Sequence, residues 1–140
     1  MTEIDVVRYM KGDALSLASR QIEWNGQDEV FLQNESFTGL VGERPVFCCG
    51  LIHYWPGNAE LWLILGLPAV YLDAFRKIQM LLEWMIQKHK LFRVNARCLS
   101  EWSEANRSIR HLGFTHEATL PCYGPNRETY NQYGKVLWRS

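Results

Sequence analysis

The residues best able to do chemistry unaided are four cysteines and four histidines, and their spacing argues against it. Cys48 and Cys49 are adjacent, Cys98 and Cys122 stand far off, and no pair has the C-x-x-C spacing of a zinc or redox motif. The adjacent pair also lacks the neighbouring His or Asn pattern that would make a nucleophile. His53, His89, His111 and His116 form no ligand spacing, so no metal is expected. A second candidate is the stretch SEANRSIRHLGF, residues 103–114. Its Asn106 can hydrogen-bond a cofactor or the backbone, and its Gly113 can stop a helix. Whether it belongs to a cofactor site depends on whether the segment before it can hold a phosphate.

The chain around these residues has 140 positions, 47% of them apolar and 21% charged, with a formal net charge of zero. Such a chain fits one domain, 1–140, with a sizeable core. A general nucleic-acid binder would carry a basic excess, so that class is not expected. The opening MTEIDVVRYMKGDAL is acidic and does not read as a signal peptide. ELWLILGLPAVYL is the most apolar run, but Gly66 and Pro68 interrupt it and it is too short to span a bilayer. The reading is a soluble cytoplasmic protein with reduced, mostly buried thiols and no membrane partner.

The elements that must position any site follow from periodicity. Residues 4–9 read as a strand, and Lys11-Gly12-Asp13 turns into a helix with Asp13 as cap and Leu15, Ala18 and Ile22 on one face. Asn25-Gly26 breaks it, and QDEVFLQN reads as a short helical turn. SFTGLVG, PVFCCGLIHYW and AELWLILG then give three strands joined by turn signals. From 69 to 90 the apolar residues Tyr71, Phe75, Ile78, Leu82 and Met85 recur at helical spacing, joined by Ala74, Leu81 and Trp84. LFRVNARCL alternates as a strand. SEWSEANRSIRHLG reads as a short helix capped by Ser100 or Ser103 and stopped by Gly113. Two strands joined by Gly124-Pro125-Asn126 close an α+β domain.

This order, with a long helix straight after the third consecutive strand and a short helix ending in Leu-Gly-Phe, resembles the GCN5-related N-acetyltransferase (GNAT) superfamily. The likeness covers almost the whole chain in element order. At residue level it is concentrated between Ala59 and Phe114, where NRSIRHLGF resembles the superfamily's second signature. A narrower likeness is to the acetyltransferase-like gene-13 internal virion proteins of T7-like phages. It rests on the Trp-containing strand, on FRKIQMLLEWMIQKHK and on SIRHLGF. The resemblance implies a mixed, mostly antiparallel central sheet flanked by helices.

It also implies acetyl-CoA as cofactor, its pyrophosphate at the start of the long helix, where unpaired N–H groups and the dipole favour an anion. Carried onto LGLPAVYLDAFRK, that site falls on Leu65, Gly66, Leu67, Ala69 and Val70, with Asn106 as a further cofactor contact. The loop departs from the superfamily pattern: one glycine, a proline at 68 that removes a donor, no opening Gln or Arg, and Asp73 within about one turn. Arg76 and Lys77 offset Asp73 from about the second turn. The resemblance places the general base at Glu60, on the strand before the long helix. Its acid position, four residues before the final glycine of the short helix, is Ile109, which donates no proton; Tyr123 or Tyr130 is the substitute. The implied activity is acyl transfer to an amine of a small molecule or protein. The alternative is a catalytically degenerate phage or prophage protein acting in virion assembly or by binding a host protein, in the host cytoplasm or the virion.

Overall fold

The computed structural model describes residues 3–13, 17, 28–66 and 71–137. The helix expected after Asp13, with Leu15, Ala18 and Ile22, lies almost wholly outside the described residues. So do its break at Asn25-Gly26 and the loop positions Leu67, Ala69 and Val70. The described elements are β1 (Asp5–Arg8), α1 (Asp28–Gln33), β2 (Ser36–Val41), β3 (Arg44–Trp55), β4 (Asn58–Leu65) and α2 (Tyr71–His89), then β5 (Arg93–Leu99), α3 (Ser103–His111), β6 (Thr115–Leu120) and β7 (Tyr130–Val136). Each strand and helix read from periodicity within these residues is present. The strands join in the order β1-β2-β3-β4-β5-β7-β6. The pairs β1·β2, β2·β3, β5·β7 and β6·β7 are antiparallel, and β4·β5 is parallel. No helix among the described residues is long and apolar enough to cross a membrane.

The chain packs as two compact units, residues 1–52 with 61–88, and residues 53–60 with 89–140. In the first, Tyr9, Phe31, Cys48, Trp62 and Ile64 form a buried cluster. Phe31 stacks on Trp62 at 3.7 Å, and Tyr9 meets both rings edge-on. Such aromatic pairs add to the stabilisation that comes from their buried area. Helix α2 buries Ala74, Ile78, Leu82, Met85 and Ile86. Trp84, expected on that stripe, is 47% exposed. The stripe is centred one residue further round, so the indole lies at its edge, edge-on to Phe37 and under the Lys88 ammonium. Cys48 and Cys49 are fully buried in β3, and burial pushes the Cys49 thiol far up.

In the second unit, helix α3 shows how local signals and side-chain reach combine. Neither Ser100 nor Ser103 caps it: the cap position is Trp102, which makes no side-chain cap bond. The preceding turn is held instead by Asn106, whose amide donates to the carbonyls of Leu99 at 2.9 Å and Trp102 at 2.7 Å. The amide reaching back from the helix's first turn ties down carbonyls of the turn, whereas a serine cap would have accepted from the helix's free N–H groups. The stop at Gly113 holds. With φ of +96° the glycine takes the left-handed conformation, its N–H bonds Arg110 O and that of Phe114 bonds Ile109 O. Lys135 Nζ, from β7, donates to Leu112 O at 2.8 Å and adds a cation at the negative end of the helix.

Candidate active site

Polar residues alternate with apolar ones on β4 and β5, so one face of this strand pair is polar: Asn58 and Glu60 on one strand, Arg93, Asn95 and Arg97 on the other. The parallel ladder pairs Asn58 with Arg93, Ala59 with Val94 and Glu60 with Asn95, and stops there, although β4 runs on to Leu65 and β5 to Leu99. At its start, Asn95 donates to Asn58 Oδ1 at 2.7 Å and to Ala59 O at 3.1 Å. Arg93 in turn donates to Asn95 Oδ1 and bonds Glu117 on β6. This polar row, buried at Asn58 and Asn95 and open at Arg93 and Glu117, holds the register that carries Glu60 and Arg97.

Glu60 stands on the last rung. Its Oε1 accepts from the Tyr54 hydroxyl and from Arg97 Nη2, the latter at 2.5 Å. Glu60 Oε2 has no protein partner among the described residues. Arg97 Nη2 also lies 3.5 Å from the Tyr54 oxygen, and its guanidinium sits over the Tyr123 ring, 5.3 Å from the centroid. Tyr123 is half-exposed on the β6–β7 loop, which bonds from Tyr123 N and Gly124 N to Glu128 O close. Its ring packs edge-on to the buried Tyr130 at 5.3 Å. Burial, then the hydrogen bond to Glu60 and its charge, push the Tyr54 phenol up to about 12, so it holds its proton at neutral pH. Burial works against the Arg97 charge, but the bond and charge of Glu60 outweigh it and hold the guanidinium above its ordinary value.

Glu60 and Tyr123 are thus brought to one cluster, with Arg97 between them. Arg97 and Tyr54 were not among the residues singled out from sequence. A signal was present for Arg97: like-spaced polar positions of opposite charge on two apolar strands. The Tyr54 ring also walls a shallow open cavity of about 360 Å³ with His53, Trp55, Pro56 and His89. The two imidazoles meet there edge-on at 4.6 Å. Among the described residues no group of three or more His, Cys, Asp or Glu could hold a metal ion.

Asn106 lies elsewhere in function. It is buried, its amide is taken by backbone carbonyls, and its Oδ1 accepts from Asn131 Nδ2 at 2.8 Å and from the Tyr133 hydroxyl at 2.7 Å. These bonds use both amide hydrogens and both lone pairs, so the side chain anchors α3 rather than facing a ligand. Ile109 is buried too, a packing residue at the position where the resemblance puts an acid.

At the other end of the expected cofactor, Leu65 is half-buried at the end of β4. Gly66 donates to Val46 O at 2.8 Å. A Cβ on Gly66 would meet Leu17 Cδ2 at 2.7 Å and Val46 O at 3.0 Å, so the chain itself needs a glycine there. The first turn of α2 carries Asp73, and Arg76 and Lys77 follow one turn later.

No protein-family model matches the sequence, and no curated protein matches it. Solved structures do. An acetyltransferase of the GNAT family from Bacillus anthracis is 14% identical over 97% of this chain and 96% of that one, with a TM-score of 0.72. Ard1 from Thermoplasma volcanium is 11% identical over 97% and 99%, with a TM-score of 0.77. The ribosomal-protein-S5-alanine acetyltransferase from Vibrio fischeri is 13% identical over 100% and 97%, with a TM-score of 0.72. The narrower likeness to phage virion proteins finds no support among them. At such identities the likeness is one of architecture: the chain has the GNAT-type acyltransferase fold, a mixed, mostly antiparallel sheet with helices.

Proposed function

We propose that the protein is an N-acyltransferase that moves an acyl group from acetyl-CoA or a related thioester to an amine. The observation that carries this reading is Glu60, fixed by Tyr54 and Arg97 at the end of the β4·β5 ladder with Oε2 left for a proton. The fold and the early end of the ladder support it as well. A bound thioester supplies an activated acyl carbon and a thiolate leaving group.

Amide formation joins nitrogen to carbon, breaks the carbon–sulfur bond and releases a proton from the nitrogen. Glu60 Oε2 receives that proton, directly or through a water. Arg97 and Tyr54 hold the carboxylate in one orientation while it does so. Tyr123, whose hydroxyl has no protein partner among the described residues, gives its proton to the leaving thiolate, which departs as the free thiol, and regains one from solvent as Glu60 releases its own.

Calorimetric titration with acetyl-CoA tests the reading, followed by thiol release with an amine panel for the native protein and Glu60→Gln. Micromolar binding and turnover that falls in Glu60→Gln support it; no heat from folded protein overturns it. A second reading is favoured by buried Ile109 and by Asp73: a binding protein that keeps the fold without the chemistry, its partner a phage or host protein. The same titration separates the two.

A further inference from the structure

The Glu60–Arg97 pair is an ion pair that uses only part of each partner. Glu60 commits Oε1, and its side chain is 14% exposed. Arg97 commits Nη2, and its side chain is 28% exposed. The N–H groups of Nη1 and Nε have no protein partner among the described residues, nor has Glu60 Oε2. Guanidinium N–H groups match a carboxylate, and a carboxylate oxygen matches an ammonium or amine. A ligand that answers both carries the two groups close together and has no net charge.

We propose that the acceptor is a small amino acid or amino-acid-like zwitterion, its carboxylate on Arg97 and its amine at Glu60 Oε2. This rests on the acyl-transfer reading for the fate of the amine, but not for binding. The Tyr123 ring under the guanidinium and the Tyr54 hydroxyl on Glu60 hold both charges in place, so the ligand meets a preset pair. A polyamine finds the opposite arrangement. Its second cation would face Arg97, and like charges brought together there disfavour it.

The test uses matched ligands: a panel of amino acids, each beside the amine that lacks only its carboxylate. Binding is measured by ligand-observed NMR with and without acetyl-CoA, and thiol release is measured in parallel. The amino acid is expected to bind or turn over roughly tenfold to a hundredfold better than its amine, the range of a charge-assisted hydrogen bond. Arg97→Gln should erase that preference, and Arg97→Lys should retain part of it, since a charge survives without the fork. Heat from acetyl-CoA should persist in both variants. Equal or better use of the amine by the native protein overturns the proposal. So does a preference that survives in folded Arg97→Gln, or a panel that does not bind at all. Absence of acetyl-CoA heat would sink the acyl-transfer reading alone, because amino-acid binding is read without the cofactor.

Discussion

Two polar clusters of the same unit differ in what they leave over. Around Asn106, every donor and acceptor of the central amide is used, by backbone carbonyls on one side and by Asn131 and Tyr133 on the other. Around Glu60, one oxygen and one guanidinium nitrogen are used, and the remaining oxygen and N–H groups have no protein partner among the described residues. A saturated, buried cluster can only hold the fold. A half-used cluster near solvent can hold itself and still take a ligand. The sequence offered Asn106 as one of several cofactor contacts and gave Arg97 no role; in the structure the Asn106 amide is saturated and the Arg97 guanidinium is not.

Substitutions can break or sharpen this contrast. Glu60→Gln keeps the shape of the side chain and removes the proton acceptor. Turnover should fall by roughly a hundredfold to ten-thousandfold in thiol-release rates. Asn106→Ala should do the opposite. It strands the Tyr133 hydroxyl and Asn131 amide and is expected to lower stability by about 3 kcal/mol in urea unfolding. Tyr133→Phe, which removes one of those bonds, should lower it by about 1 kcal/mol by the same measurement. Arg97→Gln should lower it by less than about 1 kcal/mol, as for other partly exposed pairs. If it instead matches Asn106→Ala, the Glu60 cluster is a structural tie and the contrast fails.

The smallest effect is on pH dependence. The Tyr54 phenol is raised in the folded protein, so the unfolded chain releases that proton first as pH rises. Its contribution to stability is complete below about pH 10 and is lost on the way to about 12. Tyr54→Phe should flatten that part of the alkaline unfolding curve, with other raised groups leaving a remainder.

Element order was legible because it rests on local patterns: turn signals between the runs of β2 to β4, alternation in β5, and a three-to-four spacing through α2. What local patterns could not supply was reach. The Asn106 side chain crosses back over the turn before its helix, and a serine rule has no means of seeing that. Trp84 belongs to the apolar spacing of α2, but a stripe has edges, and only the packed partners decide which bulky residue falls there. The cluster failed for a related reason. Glu60 and Arg97 are 37 positions apart, and Tyr54 and Arg97 are 43 apart, so their meeting depends on strand register. Glu60 and Tyr123 came from the likeness to a known fold; the arginine between them came from geometry.

The cysteines give the chain an internal gauge. Cys48 and Cys49 are sealed in β3 and Cys98 is buried in β5, while Cys122 is exposed. A thiol reagent should mark Cys122 at once and reach the other three only when their strands open. The delay between the first label and the rest is therefore a clock for opening of each unit, with Cys48 and Cys49 timing one and Cys98 the other. Mass spectrometry of peptides labelled over time would read both clocks in a single sample, with no residue of the chain replaced.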